Sequence, residues 1–279
     1  MSLWYAICEL LPFEMLQWNF MKNALLAILI MAPLFGLIST MIVGGRMSFF
    51  SDALGHSAFT GIAIGAIAGV AAPTYVAVVF AIVFAILFSY IRYKSHQAAD
   101  TLIGVFSSTA VALGIFIATL NGGSFTKYNK YLIGDILSVT PAEIGMLALV
   151  LFAVIVFYLC CSNKLVLSTI HPQLAASRGI AVGLTQTVFT TAVALIVTLA
   201  ISWVGLLILN SLLVLPAAVS RNVSKNLKQY HLISVLVTLV ASIAGLVVSY
   251  AFGVSAGAAI SLVLAAFFAV SLLLKRRNG

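Results

Sequence analysis

Asp52 and His56 stand four residues apart in the run Met47-Ser-Phe-Phe-Ser-Asp-Ala-Leu-Gly-His-Ser-Ala58. On a helix that spacing places a carboxylate and an imidazole on one face, with Cβ atoms about 5 to 6 Å apart, so both can converge on one cation. Carboxylate oxygen with imidazole nitrogen suits zinc or manganese(II), whereas copper(I) would call for the sulfur of Cys or Met. Two donors leave a coordination shell incomplete. For a cation that must be released this helps, because a full tetrahedral cage would hold zinc too tightly, and water or other helices can complete a transient shell. Two plainer roles fit the same residues: a carboxylate near a helix amino terminus meets the positive end of the helix dipole, and an imidazole can bond a neighbouring carbonyl.

The elements that must carry this pair are set by composition. Of 279 residues, 63% are hydrophobic and 7% charged, with a mean hydropathy of +1.21. A soluble fold needs far more charge to cover its surface, so the apolar excess faces lipid. Stretches free of Asp, Glu, Lys and Arg run from 23 to 45, 53 to 91, 101 to 126, 144 to 163, 179 to 220 and 229 to 274. A span takes roughly 20 residues of helix, so these hold about one, two, one, one, two and two segments. The expectation is an all-α polytopic bundle of about 8–9 membrane segments, because the apolar runs are continuous and do not alternate as barrel strands would. Breaks are expected at 71–74, with Pro73 in the first turn of a new helix, around Asn210 to Pro216, and at Gly253 to Gly257. Gly61, Gly65 and Gly69 recur every four residues, a small-residue stripe that lets the Asp52-bearing helix pack closely among its neighbours.

Positive loops stay cytoplasmic. With the carboxyl end Lys275-Arg276-Arg277 inside and nine segments threaded backwards, eleven of the fourteen basic residues fall inside, and Lys22, Lys127 and Lys130 fall outside. The formal net charge of +8 is therefore explained by topology, and no nucleic-acid partner is implied. Cys8, Cys160 and Cys161 make no disulfide framework. Residues 1–19 read as an interfacial or unstructured lead-in, 20–274 as one transmembrane domain, and 275–279 as a basic cytoplasmic tail. The lead-in carries Glu9 and Glu14 and lacks the pattern of a cleaved signal peptide. No nucleotide-binding, dinucleotide, nucleophile-elbow or zinc-protease motif occurs; Gly122-Gly123-Ser124-Phe125-Thr126-Lys127 has the wrong spacing for a phosphate loop. An enzyme is not expected, and no permanently bound cofactor.

The inside loop at 164–183 is the longest with polar punctuation. His171, Pro172, Gln173, Leu174, Ala175, Ala176 and Ser177 read as a short helix with Pro near its start, followed by Arg178 and the stop signal Gly179. Such an element could receive force from a soluble partner or simply connect two spans. His96, His171 and His231 read as loop histidines, in or beside inside loops. Asp135 and Glu143, with Tyr128 and Tyr131, lie outside, as solvated charges or as contacts for a delivery protein.

Several motifs stand in order: residues 47–58, Asp100-Thr-Leu-Ile-Gly104, Tyr131-Leu-Ile-Gly-Asp-Ile-Leu-Ser-Val-Thr-Pro141, the loop around Gln173 to Gly179, and Val204-Gly-Leu-Leu-Ile-Leu-Asn-Ser-Leu-Leu-Val-Leu-Pro-Ala-Ala218. Together, from about residue 20 to 270, they resemble the membrane permease subunit of bacterial ABC importers for zinc, manganese and sometimes iron. The resemblance implies a permease of the metal/cobalamin type in the cell membrane. It implies a homodimer driven by two cytoplasmic ATPase subunits and fed by an extracytoplasmic metal-binding protein. It makes His171 to Gly183 the coupling loop and puts Asp52 and His56 in contact with the metal in transit. Some zinc-type relatives carry a His after the Asp-Thr-Leu-Ile-Gly stretch, where this chain has Phe106-Ser107-Ser108-Thr109. Fewer nitrogen donors shift the balance modestly towards manganese. Other readings are a cobalamin or iron-chelate permease, a secondary transporter without an ATPase, and an intramembrane metalloenzyme. The last would need a third ligand and a general base that no intramembrane residue supplies.

Overall fold

A computed structural model describes residues 2–9, 12, 14–70, 73–95, 97–120 and 136–278. Every regular element among them is helical: α1 (Ser2–Glu9), α2 (Asn19–Gly44), α3 (Phe50–Ile67), α4 (Pro73–Ser95), α5 (Ala99–Thr119), α6 (Pro141–Ile170), α7 (Pro172–Ser177), α8 (Val182–Val204), α9 (Leu206–Val223), α10 (Leu227–Phe252) and α11 (Ala256–Asn278), with single 3-10 turns at Glu14–Gln17 and Ile136–Ser138. Seven helices, α2, α4, α5, α6, α8, α10 and α11, are long and apolar enough to cross a bilayer, and α9 is a shorter apolar helix. The eighteen-residue α3 is diluted by Asp52, His56 and its small polar residues. These nine helices fill the charge-free stretches in the expected numbers.

Two of the three expected breaks fall as read. α4 begins at Pro73, and Gly253, left-handed at φ 64, ends α10. The third differs. The chain breaks at Gly205, whose φ of 86 and ψ of 156 suit glycine, and Pro216 lies inside α9 rather than beside a turn. A proline missing one backbone bond is tolerated in a membrane helix, because opening the surrounding backbone in an apolar medium would orphan many more groups.

The chain divides into two packing units. One comprises Met41–Gly134 and Phe157–Ser202, the other Met1–Thr40, Asp135–Val156 and Trp203–Gly279. In the first, α3 is held between α4 and α5. A Cβ on Gly61 would stand 2.4 Å from the Ala77 Cα, and one on Gly65 3.0 Å from the Pro73 Cα, so both glycines permit backbone-to-backbone approach of α3 and α4. Gly69 does not continue that stripe. It sits at φ +70 in open space, and the Val70 N–H bonds the Gly65 carbonyl at 3.0 Å, so Gly69 closes the helix. On the other side a Cβ on Gly114 would meet Phe59 and Thr60 at 2.7 Å, and the Thr60 hydroxyl donates to the Ala110 carbonyl at 2.6 Å. Phe50, Phe88, Phe106 and Phe84 form a chain of ring contacts with centroids 4.8 to 5.5 Å apart.

The turn from α2 into α3 closes with Met47 N–H on the Ile42 carbonyl at 3.0 Å and Arg46 N–H on Val43 at 3.2 Å. Arg46 occupies the left-handed position at φ 54, where a side chain costs about 1 kcal/mol relative to glycine. Arg46→Gly is accordingly expected to stabilise the protein by about 0.5 to 1 kcal/mol, a rise in the unfolding midpoint of the purified chain; a lower midpoint would contradict the capping role.

In the second unit, Gly36 of α2 meets α10 closely, its notional Cβ 2.7 Å from the Val235 Cα. Ser39 and Ser234 hydroxyls lie 2.9 Å apart, and Ser234 donates to the Gly36 carbonyl at 2.8 Å. α1 docks on the start of α2. Trp4 Nε1 donates to the Lys22 carbonyl at 2.8 Å, Tyr5 Oη to Asn23 Oδ1 at 2.8 Å, and the buried Lys22 ammonium to Glu9 at 3.0 Å. The lead-in is thus an ordered helix sealing a buried cation. Glu9→Gln is expected to cost about 1 kcal/mol of unfolding free energy, because the Lys22 ammonium beside the Tyr5 ring exchanges a carboxylate for a neutral amide oxygen. Lys22→Met together with Glu9→Gln should recover the loss, since it removes the charge that needed a partner.

Candidate functional site

Phe49 opens α3 without a side-chain cap, and Asp52 falls in the first turn, where its charge meets the positive end of the backbone dipole. The plainer role of Asp52 is therefore present. It does not account for the exposure pattern. Phe50 through Ala63 are buried at every position except 52 and 56. Asp52 and His56 keep 45% and 32% of their side-chain surface, with His56 Nε2 3.5 Å from Asp52 Oδ2. The i, i+4 spacing thus produces a paired, partly exposed donor set on a helix whose neighbouring positions are buried.

Among the described residues no group of three His, Cys, Asp or Glu side chains could hold a metal ion. Asp52 and His56 thus stand as two donors, short of the three or four protein ligands of a structural zinc site. On α5, Ser108 and Thr109 are exposed, and the Thr109 hydroxyl bonds the Val105 carbonyl at 2.8 Å. Such a hydroxyl is a weak ligand beside an imidazole.

The short helix expected in the loop at 164–183 is α7. His171 precedes it without a side-chain cap and Pro172 stands in its first turn. Gly179, at φ 76, closes it: Gly179 N–H bonds the Ala176 carbonyl at 3.0 Å, and Ile180 N–H bonds Ala175 at 3.0 Å, the double bond of a glycine-terminated helix. Ala175 is fully buried, while His171, Pro172, Gln173, Leu174, Ser177, Arg178 and Gly179 are exposed. α7 is anchored by one small residue and presents the rest of its surface outward, followed within five residues by α8.

Two other residues are placed differently from the sequence reading, or more specifically. His231 is no loop histidine: it lies in α10, 9% exposed, with Nδ1 2.6 Å from the Thr40 hydroxyl. The basic loop before it drew the reading outward, but α10 begins at Leu227 and has already turned His231 inward. Glu143 is committed to its own helix start. Its Oε2 accepts the Thr140 N–H at 2.7 Å and hydroxyl at 2.8 Å, a capping box legible in Thr140-Pro-Ala-Glu143. His96, Tyr128, Tyr131 and Asp135 lie outside the described residues.

Sequence reasoning passed over Arg92, whose Nη2 donates to the Gly45 carbonyl at 3.1 Å, and the Ser89–Thr187 hydroxyl pair at 2.8 Å. The only signal for them was polar residues near the ends of otherwise apolar helices.

Comparison with known proteins agrees with this architecture. The manganese import system permease protein ScaB of Streptococcus gordonii is 30% identical over 260 residues, covering 91% of this chain and 91% of that protein. The high-affinity zinc uptake system membrane protein ZnuB of Haemophilus influenzae is 26% identical over 252 residues, covering 89% and 94%. Among solved structures, PsaBC from Streptococcus pneumoniae in complex with Fab superposes with a TM-score of 0.77 at 27% identity, covering 97% of this chain and 95% of that one. The ABC 3 transport family matches residues 17–275. With a helical bundle of the right composition and a match over nearly its whole length, the chain is a multi-pass membrane protein and belongs to the ABC 3 transport family.

Proposed function

We propose that this protein is the permease subunit of an ATP-driven importer for manganese or zinc in the bacterial plasma membrane, with Asp52 and His56 as a low-affinity station in the path of the ion. The observation that carries the station is the exposure pattern of α3, in which an oxygen and a nitrogen donor are the only side chains from 50 to 63 left partly open. An ionisable pair within a membrane protein lines a path or finds a partner, and an incomplete donor set binds weakly enough to release.

The chain carries no nucleotide-binding motif, so ATP is hydrolysed in a separate subunit that engages α7. With α3 and α9 counted as crossings beside the seven long helices and the basic carboxyl end inside, α7 and the α2–α3 turn lie on the cytoplasmic side in this reading. Two copies of the chain form the permease, and an extracytoplasmic binding protein delivers the ion at the outer face. ATP-driven closure of the motor subunits moves α7 and shifts the bundle between outward-open and inward-open states. The ion is pumped because its contacts differ between them.

The test is reconstitution. In proteoliposomes, the chain with its ATPase and binding protein should take up radiolabelled manganese or zinc only when ATP is present. Uptake at full rate by the chain alone would overturn this reading in favour of a secondary transporter.

A further inference from the structure

We propose that the cytoplasmic end of α4, residues 88–93, is the transmission element that links α7 to the start of α3, where Asp52 stands. The inference rests on the importer reading above, and it assigns work to residues outside the donor pair and the coupling loop. The contacts form one continuous series within a single packing unit. α7 is joined to α8 by a link of four residues, 178–181, itself pinned by the Ile180 and Gly179 bonds to Ala175 and Ala176. The first turns of α8 then meet α4 twice. The Tyr93 ring lies against Gly183, where a Cβ would stand 3.4 Å from it, and one turn further along Ser89 and Thr187 share a hydrogen bond at 2.8 Å.

From the same turn of α4, two contacts reach the base of α3. The Phe88 ring packs on Phe50 at 4.8 Å between centroids, both rings being fully buried. Arg92 donates to the Gly45 carbonyl at 3.1 Å, fixing the turn that feeds α3. Phe50 precedes Asp52 by two residues. Side chains 88, 89, 92 and 93 thus face two ways, 89 and 93 towards α8 and 88 and 92 towards α3. Close-packed rings and a short hydrogen bond make poor hinges, since separating them opens a cavity and orphans hydroxyls. A displacement of α8 by its loop is therefore carried to α3 with α4 as one body. Ser89, Tyr93 and Thr187 are positioning residues in this scheme and touch no ion.

The full complex in proteoliposomes tests it by comparing uptake with ATP hydrolysed. Ser89→Ala and Thr187→Val should each leave ATP hydrolysis within about twofold of the parent, while ions imported per ATP fall about fivefold, the lower range of measured couplings between sites. The double variant should fall no further than either single, and Thr187→Ser, which keeps the hydroxyl, should restore the parent ratio. Unchanged ratios in both singles, or losses that multiply in the double, would overturn the proposal. A second measurement does not depend on how well those variants fold. In a chain with Cys8, Cys160 and Cys161 replaced, Ser89→Cys with Thr187→Cys can be oxidised to a disulfide across the present contact. If α4 and α8 move together, the locked complex imports at least as many ions per ATP as its reduced form and comes within about twofold of the cysteine-free parent; if locking stops transport, the two helices slide and the proposal is wrong. Failure of the parent complex to show ATP-dependent uptake would remove the importer reading and this inference with it. Intact parent uptake with unaltered variants removes the inference alone.

Discussion

Uptake by the Asp52→Asn complex at limiting manganese is expected to fall about 10- to 100-fold, with the fold intact and ATP hydrolysis retained. The range follows from the loss of one charge-assisted contact in a site of few ligands, about 1.5 to 3 kcal/mol. Asn keeps the size of Asp and an acceptor oxygen but carries no charge, so the loss reports electrostatic attraction for the ion rather than packing. His56→Ala should cut uptake as well, and the two variants should differ in which ion they spare. Removing the carboxylate weakens the harder manganese more, and removing the imidazole weakens zinc more. Both side chains are only half-buried, so neither change opens a cavity, and thermal midpoints should move little. Raising external metal should recover much of the rate, since the defect lies in occupancy. Parent-like uptake by both variants at limiting metal would show that the ion does not pass this face, whatever the family membership.

Much of the arrangement was legible beforehand, because in a bilayer the pattern of charge is also the pattern of structure. Charge-free stretches set the number and placement of the helices, and the His171-Pro172 to Gly179 run marks both ends of α7 through proline and glycine chemistry that does not depend on context. The i, i+4 spacing of Asp52 and His56 was equally local. What could not be read was anything decided by a neighbouring helix. Whether His231 faces water or Thr40 depends on where α10 starts against α2. Whether Gly69 packs or caps depends on where α3 stops. Asn210 and Pro216 carry the expected break, yet the turn falls five positions earlier at Gly205, because glycine tolerates the required backbone angles. The bonds of Ser89 and Arg92 belong to the same class, since each joins residues about fifty or a hundred positions apart in sequence.

Gly61→Ala is expected to be among the most damaging single-methyl changes in the protein, lowering unfolding free energy by about 2 to 3 kcal/mol. The added carbon would stand 2.4 Å from the Ala77 Cα, 3.1 Å from the Ala77 nitrogen and 3.1 Å from the Phe80 Cβ. No rotamer change relieves such an overlap, because the first two of these atoms are backbone and the helices themselves must separate. Separation of α3 from α4 also draws Phe50 away from Phe88 and tilts the turn that bears Asp52, so uptake should fall together with stability. Ala77→Gly in the same chain should not restore either, for the clash is with the Cα and nitrogen that glycine retains. Gly145→Ala supplies the contrast. That glycine lies in α6 with nothing within 4 Å of its notional Cβ, so a methyl there should be neutral or raise the midpoint slightly through helix propensity. Unfolding midpoints of the two variants, measured in one detergent, decide the matter. If Gly61→Ala matched Gly145→Ala, the α3–α4 approach drawn here would be too close, and Asp52 and His56 would not be held on the rigid, buried helix from which their role was argued.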